Sequence, residues 1–295
     1  MKTYCCLSAV ALLIAGGLDA AQAPVGATPP VRQIDHIVIR TGNPSELYSF
    51  LAETLQLPVA WPLVSPRAGV MTGGVGVGNV NLEAVQFPGQ SERQPRLLGF
   101  AIEPSDLDES VRQLTLRGLA MGGRREIAGQ RPDGSRGALW TNVTLQTFSD
   151  SDNAADATVH LFLSEYSTAY VDVAARRARL RQQLDANGGG PLGVLDVKEV
   201  IVGVRDLEST RQLWQRLLDP LRPSNPDTWQ VGDGPGIRLV SAPQNQMHAL
   251  IIRVASVDRA KAFLRDNRLL GIEAAGQVTI DSPTLGGVEI RLVTK

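Results

Sequence analysis

A fourfold internal repetition constrains the fold more than any other feature of the chain. An apolar, strand-like run leads directly into a capped amphipathic helix, and this opening occurs four times. The four openings are QIDHIVIRTGNPSELYSFL, RLLGFAIEPSDLDESVRQL, DVKEVIVGVRDLESTRQLW and MHALIIRVASVDRAKAFL. Repetition of one supersecondary unit predicts the architecture before any single motif is considered.

The helix in each unit has a start signal and one apolar stripe. The four helices are predicted to begin at Asn43, Ser105, Asp206 and Ser256. In the first, Asn43 as N-cap, Pro44 at the first position and Glu46 at the third form a capping box. The predicted stripes are Leu47, Phe50, Leu51 and Leu55; Leu107, Val111 and Leu114; Leu207, Trp214, Leu217 and Leu218; and Val257, Ala260 and Leu264.

Further strand-like runs follow each helix. They are AGVMTG and VNLEAVQF, then ALWTNVTLQTF and ATVHLFLSEY, then GIRLVSA, and finally QVTIDSP and GVEIRLV. Each unit is therefore roughly βαβββ, which predicts an α+β fold. The segment GGVGVGN is followed by a strand rather than a helix, and this excludes a dinucleotide-binding or P-loop interpretation.

The second and third units are separated by a predicted linker helix, about residues 169–186. The run Gly188-Gly189-Gly190-Pro191 ends it. Its arginines, in AARRARLRQQL, are predicted to form a solvated face rather than an anion site.

The N-terminus has the pattern of an export signal. Lys2 precedes an apolar region from Cys5 to Leu18, and Ala21-Gln22-Ala23 is an A-x-A cleavage site. Because about 14 apolar residues are too few for a membrane span, we expect a signal peptide over residues 1–23, no stable membrane anchor after its removal, and a bacterial periplasmic location. Both cysteines lie inside this segment, so the mature chain would lack disulfides, thiolate metal sites and cysteine nucleophiles.

Composition limits the partners. A net charge of −1 gives no basis for binding nucleic acid, and 43% hydrophobic with 20% charged residues is typical of a globular protein. We therefore expect a small-molecule partner. The sequence leaves open whether the chain forms a homodimer.

The motifs IDHIVI and VNLEAV, with the βαβββ repetition, resemble the vicinal oxygen chelate (VOC) superfamily, in particular glyoxalase-like domain proteins. In that superfamily two βαβββ modules pair into one cup-shaped sheet. The resemblance thus implies two domains, residues 31–167 and 195–295, joined by a linker helix within 168–194. The superfamily includes isomerases, extradiol dioxygenases, antibiotic-resistance proteins and metal-free binding proteins, so the fold does not select an activity.

The same resemblance implies where metal ligands would lie. The family's ligand positions fall on His36, Glu83, Gly99 and His160, and glycine cannot ligate. Strand alternation puts the other three on one face of their strands. Two imidazoles and one carboxylate suit Fe(II), and equally Zn(II) or Mn(II). Here a histidine, His160, stands where the family usually has a carboxylate.

Other interpretations of these residues stay open. His36 could be a core histidine bound to a carbonyl group, and Glu83 could be paired with an arginine or lie at a solvated rim. Trp61, Trp140 and Asn142 are predicted to line the cup and contact substrate, although the tryptophans could be ordinary core residues. No catalytic base is assigned.

The second domain departs from the ligand pattern. Its equivalent positions are Glu199, Arg238, Ala249 and Glu289. An arginine between two glutamates predicts an ion-paired cup without metal, so this domain is expected to be degenerate and to support the first by packing.

Three hypotheses follow. The leading one is an exported lyase, isomerase or dioxygenase that uses one divalent metal (Fe, Mn or Zn) as a Lewis acid on a small molecule with vicinal oxygens. The alternative is a non-catalytic, metal-free periplasmic protein that binds or sequesters a small molecule. The third, a structural dimerisation module, predicts no deep cup.

Overall fold

Two curled sheets, one from each half of the chain, organise the molecule. The computed structural model describes residues 28–90 and 94–294, and the predicted signal peptide and both cysteines lie outside these ranges. Along this part of the chain, no helix has the length and apolar character needed to cross a membrane.

The first sheet has eight strands. They are β1 (Val31–Arg40), β2 (Val59–Arg67), β3 (Val70–Gly76), β4 (Asn81–Gln86), β5 (Arg96–Pro104), β6 (Met121–Gln130), β7 (Arg136–Leu145) and β8 (His160–Tyr166). Their spatial order is β2-β3-β4-β1-β5-β8-β7-β6.

The second sheet has seven strands. They are β9 (Val194–Val204), β10 (Thr228–Gln230), β11 (Gly236–Ser241), β12 (Gln246–Val254), β13 (Leu270–Ala274), β14 (Gln277–Ile280) and β15 (Ile290–Val293). Their order is β10-β11-β9-β12-β15-β14-β13.

The first strands of neighbouring modules join each sheet. β1 pairs with β5 and β9 with β12, both antiparallel, while β1 and β5 each pair in parallel with the last strand of their own module. The predicted α+β class and the pairing of modules into two sheets are confirmed. The third module contributes one strand fewer and is βαββ.

The strand directly after each module's helix occupies an outer edge of its sheet. These strands, β2, β6, β10 and β13, are the ones that the apolar runs in the sequence did not indicate. An edge strand has one neighbour and needs no continuous apolar pattern. β2 even contains Pro62 and Pro66, which are tolerated at an edge because the unpaired side needs no N–H donor.

Five α-helices accompany the strands in the described part of the chain. They are α1 (Pro44–Ser49), α2 (Leu107–Leu116), α3 (Val173–Ala186), α4 (Leu207–Leu218) and α5 (Val257–Asp266). α1 continues as a π-helical turn, Phe50–Thr54, and its predicted apolar stripe is buried.

Three of the four predicted N-caps are confirmed, and one is wrong by a residue. Asn43, Asp206 and Ser256 each accept a hydrogen bond from a first-turn N–H. In α2 the cap is Asp106 rather than Ser105, and its carboxylate accepts from the N–H of Glu109 at 2.9 Å. The Ser105 hydroxyl instead donates to a backbone carbonyl before β1.

The linker helix α3 differs from the prediction in two respects. It begins at Val173, capped by Asp172, rather than near residue 169. The expected solvated arginine face is also wrong in part, because Arg176 is buried on the same face as Leu180 and Leu184. Residues four apart share one face of a helix.

The halves of the chain share one hydrophobic core. The Trp214 ring of α4, in the second half, packs 6.1 Å from the Phe100 ring of β5 and 4.9 Å from the Phe148 ring. This packing fixes the convex side of the first sheet and leaves its other face free to form a cup.

Candidate functional site

A cavity of about 470 Å³ lies on the concave face of the first sheet. All six residues singled out in the sequence line it, namely His36, Trp61, Glu83, Trp140, Asn142 and His160. The rest of its wall is mainly apolar, with Phe162, Leu98 and Val38 among the contributors. Concave, mostly apolar cavities with a few converging polar groups are the usual form of small-molecule sites.

His36 lies between two carboxylates at the base of this cavity. Its Nδ1 is 2.8 Å from Oδ2 of Asp35, and its Nε2 is 3.3 Å from Oε2 of Glu83. Asp35 and His36 are buried, whereas the Glu83 side chain is 17% exposed toward the cup. The carboxylate behind the ring fixes the orientation of the imidazole and directs Nε2 toward Glu83.

Further contacts close this chain of residues into a ring. The Thr72 hydroxyl donates to Oε1 of Glu83 at 2.5 Å, and the Trp61 indole N–H donates to that hydroxyl at 3.4 Å. On the other side, the Arg176 guanidinium carbon lies 5.9 Å from the Trp61 ring centre. Arg176 Nη2 also donates to Oδ1 of Asp35 at 3.1 Å. The polar groups thus hold one another in place under an otherwise apolar cup.

Asp35 is the electrostatic centre of this network. Besides His36 and Arg176, it accepts from Arg177 at 3.1 Å and from the Tyr166 hydroxyl at 3.1 Å. Burial alone would raise the pKa of Asp35, but the hydrogen bond from His36 and the three positive charges outweigh burial and hold the pKa below its ordinary value. One buried carboxylate therefore serves three cationic side chains.

The two carboxylates keep His36 charged. Burial alone would lower the pKa of His36, whereas hydrogen bonds to Asp35 and Glu83, together with their charges, raise that pKa to about 9. At neutral pH the imidazolium accordingly donates from both ring nitrogens.

His160 is in a different environment. Its Nδ1 lies 3.3 Å from the carbonyl oxygen of Ser151, which can only accept, so Nδ1 carries the proton. Burial lowers the pKa of His160. The Phe162 ring contacts both histidines, with ring centres 5.7 Å from His36 and 5.3 Å from His160.

The described residues do not assemble the predicted metal site. His36 Nε2 and Glu83 are close enough to share an ion, but His160 does not join them. Within residues 28–90 and 94–294, no three Asp, Glu, His or Cys side chains come together in a set that could hold a metal ion. The predicted set His36, Glu83 and His160 is thus reduced to a His36–Glu83 pair, and these donors do not complete a three-ligand metal site.

Glycines shape the aromatic wall. The Trp61 ring lies against Gly74 in β3, where a Cβ would overlap the indole. Across the cup, the Trp140 ring packs 6.2 Å from that of Tyr166 and 5.8 Å from that of Tyr170. The glycine-rich segment GGVGVGN therefore begins within β3, and Gly74 makes room for the Trp61 ring.

The network includes residues that the sequence analysis missed: Asp35, Thr72, Tyr166 and Arg176. Two of them carried a signal. Asp35 is an acidic residue inside an apolar strand, and a buried carboxylate requires partners. Arg176 precedes Leu180 and Leu184 at four-residue spacing, which places it on the buried face of α3. Thr72 and Tyr166 carried no comparable signal.

The second sheet has no equivalent arrangement among its described residues. Arg238 pairs with Glu199 at 2.9 Å, as predicted. Glu289, however, pairs with Arg291 at 2.6 Å instead of sharing Arg238, because Arg291 is its neighbour two residues along the same chain segment. Ile201, Ala249 and Ile251 form a small apolar cluster of their own in this sheet.

Comparison with solved structures identifies the fold. A single-substitution mutant of homoprotocatechuate 2,3-dioxygenase from Brevibacterium fuscum matches 92% of this chain and 74% of its own, with TM-score 0.57 and 12% identity. The Arthrobacter globiformis enzyme of the same name matches 92% of this chain and 82% of its own, with TM-score 0.56 and 14% identity. A hypothetical protein from Staphylococcus aureus matches 90% of this chain and all of its own, with TM-score 0.57 and 11% identity.

This chain has the fold of these dioxygenases. Identities of 11–14% show the fold alone. No family model and no curated protein matches the sequence. One solved variant of the Brevibacterium fuscum enzyme contains HPCA, which is a property of that protein.

Proposed function

We propose that this protein binds a small, largely apolar molecule in the cup of its first sheet, without a metal held by protein ligands. The main support is the cavity of about 470 Å³, which has aromatic and aliphatic walls above a closed polar network. A cavity of this size suits a ligand with one or two rings. The fold is compatible with this role, since it is shared by proteins that bind small molecules.

The polar network supports binding over metal chemistry. In it, Nδ1 of His36 lies 2.8 Å from Asp35 and Nε2 lies 3.3 Å from Glu83, so both ring nitrogens have partners within the protein. Thr72 occupies one oxygen of Glu83. These groups stabilise one another and form a rigid base for the cup, and a rigid base reduces the entropy lost on binding.

One specific observation favours the enzyme hypothesis as a second candidate. The 3.3 Å spacing of His36 Nε2 and Glu83 Oε2 is the distance that two neighbouring ligands would need, and a carboxylate behind the imidazole is typical of metal-binding histidines. A lyase, isomerase or dioxygenase of the VOC type would require further ligands. The narrower assignment to glyoxalase-like proteins rests on the IDHIVI and VNLEAV motifs.

Metal analysis of protein purified without chelator separates the two candidates. For the binding protein we expect far less than one Fe, Mn or Zn per chain, and an unchanged melting temperature after EDTA treatment. One metal per chain, lost in both Glu83→Gln and His36→Gln but retained in a Glu199→Gln control, would establish the enzyme candidate instead. Glu199 is a suitable control because it occupies, in the second sheet, the position that His36 occupies in the first.

We also propose that the protein is exported to a bacterial periplasm. Lys2, the apolar region and the A-x-A site support this. Expression of the full chain, followed by fractionation and N-terminal sequencing, should give a periplasmic product that starts near Pro24. An uncleaved cytoplasmic product would contradict export and leave the binding proposal unaffected.

A further inference from the structure

Arg176 brings a cation to the cup from outside the first sheet. It belongs to α3, the helix that links the two halves, yet it lines the cavity and is only 9% exposed. Its guanidinium carbon lies 4.8 Å from the Tyr166 ring centre and 5.9 Å from that of Trp61. Aromatic faces on either side hold the planar group in position.

Arg176 shares its carboxylate partner with two other cationic side chains. Its ion pair is with Asp35, and that carboxylate also serves His36 and Arg177. Arg177 has a second partner, Glu103, at 2.7 Å. Within the described residues, Nε of Arg176 has no hydrogen-bond partner. That atom is buried, so an acceptor in the cavity would reach the guanidinium at its Nη groups instead.

The cavity wall carries an excess of positive charge. Among the charged lining residues other than His36, two are arginines, Arg125 and Arg176, and one is a carboxylate, Glu83. Glu83 already accepts from Thr72 and pairs with His36. An anionic group on a ligand would meet an excess of positive charge, whereas a cationic group would not.

We propose that Arg176 determines specificity by binding the carboxylate of a small planar organic acid whose ring lies between the aromatic walls. The guanidinium fork matches a carboxylate in shape and charge. The rings of Trp61, Trp140, Phe162 and Tyr170 line the cavity and provide the apolar contact surface. This inference rests on the proposed binding function and adds the class of ligand.

Calorimetric titration of the mature protein with 2-naphthoate and with 2-naphthamide tests it. The two probes share a ring system and differ in charge. We expect 2-naphthoate to bind about tenfold more tightly, because hydrogen bonds to charged groups are worth about that much. Arg176→Gln should bring the ratio of the 2-naphthoate and 2-naphthamide affinities to about one. Arg179→Gln, at an exposed position of the same helix, should retain it.

The outcomes separate the two proposals. Equal affinity of the wild-type protein for the acid and the amide would overturn the role of Arg176 and leave binding in the cup intact. Failure of both probes to bind would overturn the proposed function as well. If Arg176→Gln does not fold, the Arg176→Lys protein is titrated with both probes instead. Lysine keeps the positive charge near Asp35 but lacks the paired N–H groups of the guanidinium. A selective loss for 2-naphthoate supports the inference, and an equal loss for both probes contradicts it.

Discussion

Arg176 Nη2 lies 3.1 Å from Oδ1 of Asp35, which joins the linker helix α3 to the first strand of the cup. Both side chains are buried. The cup is therefore not complete within the first sheet alone, because its base depends on a helix that comes after all eight of that sheet's strands. The first prediction tests this dependence directly.

Replacing Asp35 should destabilise the protein strongly. Asp35→Asn leaves Arg176, Arg177 and His36 without their shared negative charge, and breaking one side of a buried ion pair costs about 3–5 kcal/mol. The free energy of unfolding, measured by denaturant titration at pH 7, should fall by that amount. Asp185→Asn is a matched control, since it removes an exposed carboxylate paired with Arg181 on the same helix and should cost less than about 1 kcal/mol. A loss no larger than the control's would show that Asp35 is not the centre of the network.

A methyl group at Gly74 should displace the Trp61 ring. Gly74→Ala places a Cβ where the indole lies, and overpacking of this kind costs about 1–3 kcal/mol. The melting temperature should fall, and the tryptophan emission should shift to the red as the indole becomes solvated. Gly123→Ala, in a strand where no atom lies within 4 Å of the added Cβ, should change neither. Unchanged emission in Gly74→Ala would show that the Trp61 ring does not pack against Gly74.

The two cup histidines should titrate on opposite sides of neutrality. The pKa of His36 is raised to about 9 by its two carboxylates, and burial lowers that of His160 below its ordinary value. NMR titration of the ring resonances, assigned with His36→Gln and His160→Gln, should show a charged His36 and a neutral His160 at pH 7.5. Glu83→Gln should lower the pKa of His36, because one of the two carboxylates is lost. A His36 midpoint near 6.5 would contradict the network.

The same shifts set the pH dependence of stability. Because the pKa of His36 is higher in the folded state, its pairing stabilises the fold fully below about pH 6.5, the unfolded value, and this contribution is lost as the pH rises through about 9. The lowered pKa of Asp35 acts in the opposite direction, so its contribution is present above pH 3.8 and is lost on acidification. The free energy of unfolding should therefore decrease at both extremes. The loss near pH 9 should be absent in His36→Gln.

Removing Trp214 should unfold both halves together. Its ring packs on Phe100 and Phe148 of the first half, and Trp→Ala changes in a core cost about 3–5 kcal/mol. We expect one cooperative calorimetric transition at a lower temperature. Leu116→Ala, which shortens a side chain that is 74% exposed, should leave the transition unchanged. Two separate transitions in the Trp214→Ala protein would show that the halves fold independently.

Local signals in the sequence predicted the inner strands and the helices well. The apolar runs around His36, Glu83 and His160 are buried central strands, and the cap of α1 forms as its residues indicate. The edge strands β2, β6, β10 and β13 escaped prediction because a strand with one neighbour is only half buried. The cap of α2 was misplaced because Ser105 and Asp106 are both good caps, and backbone geometry selected the aspartate.

The sequence by itself determined the repeated module, its helices and its inner strands, because burial and capping are short-range requirements recorded in neighbouring residues. The candidate ligand positions His36, Glu83 and His160 came from the resemblance to the VOC superfamily. Only the tertiary structure decided what those residues do to one another. In it, Asp35 contacts Nδ1 of His36, and Arg176 of helix α3 donates to Asp35. His160 contacts the carbonyl oxygen of Ser151 and not Glu83. The contact between Asp35 and Arg176 joins side chains 141 positions apart, and its distance follows from how a helix packs on a sheet.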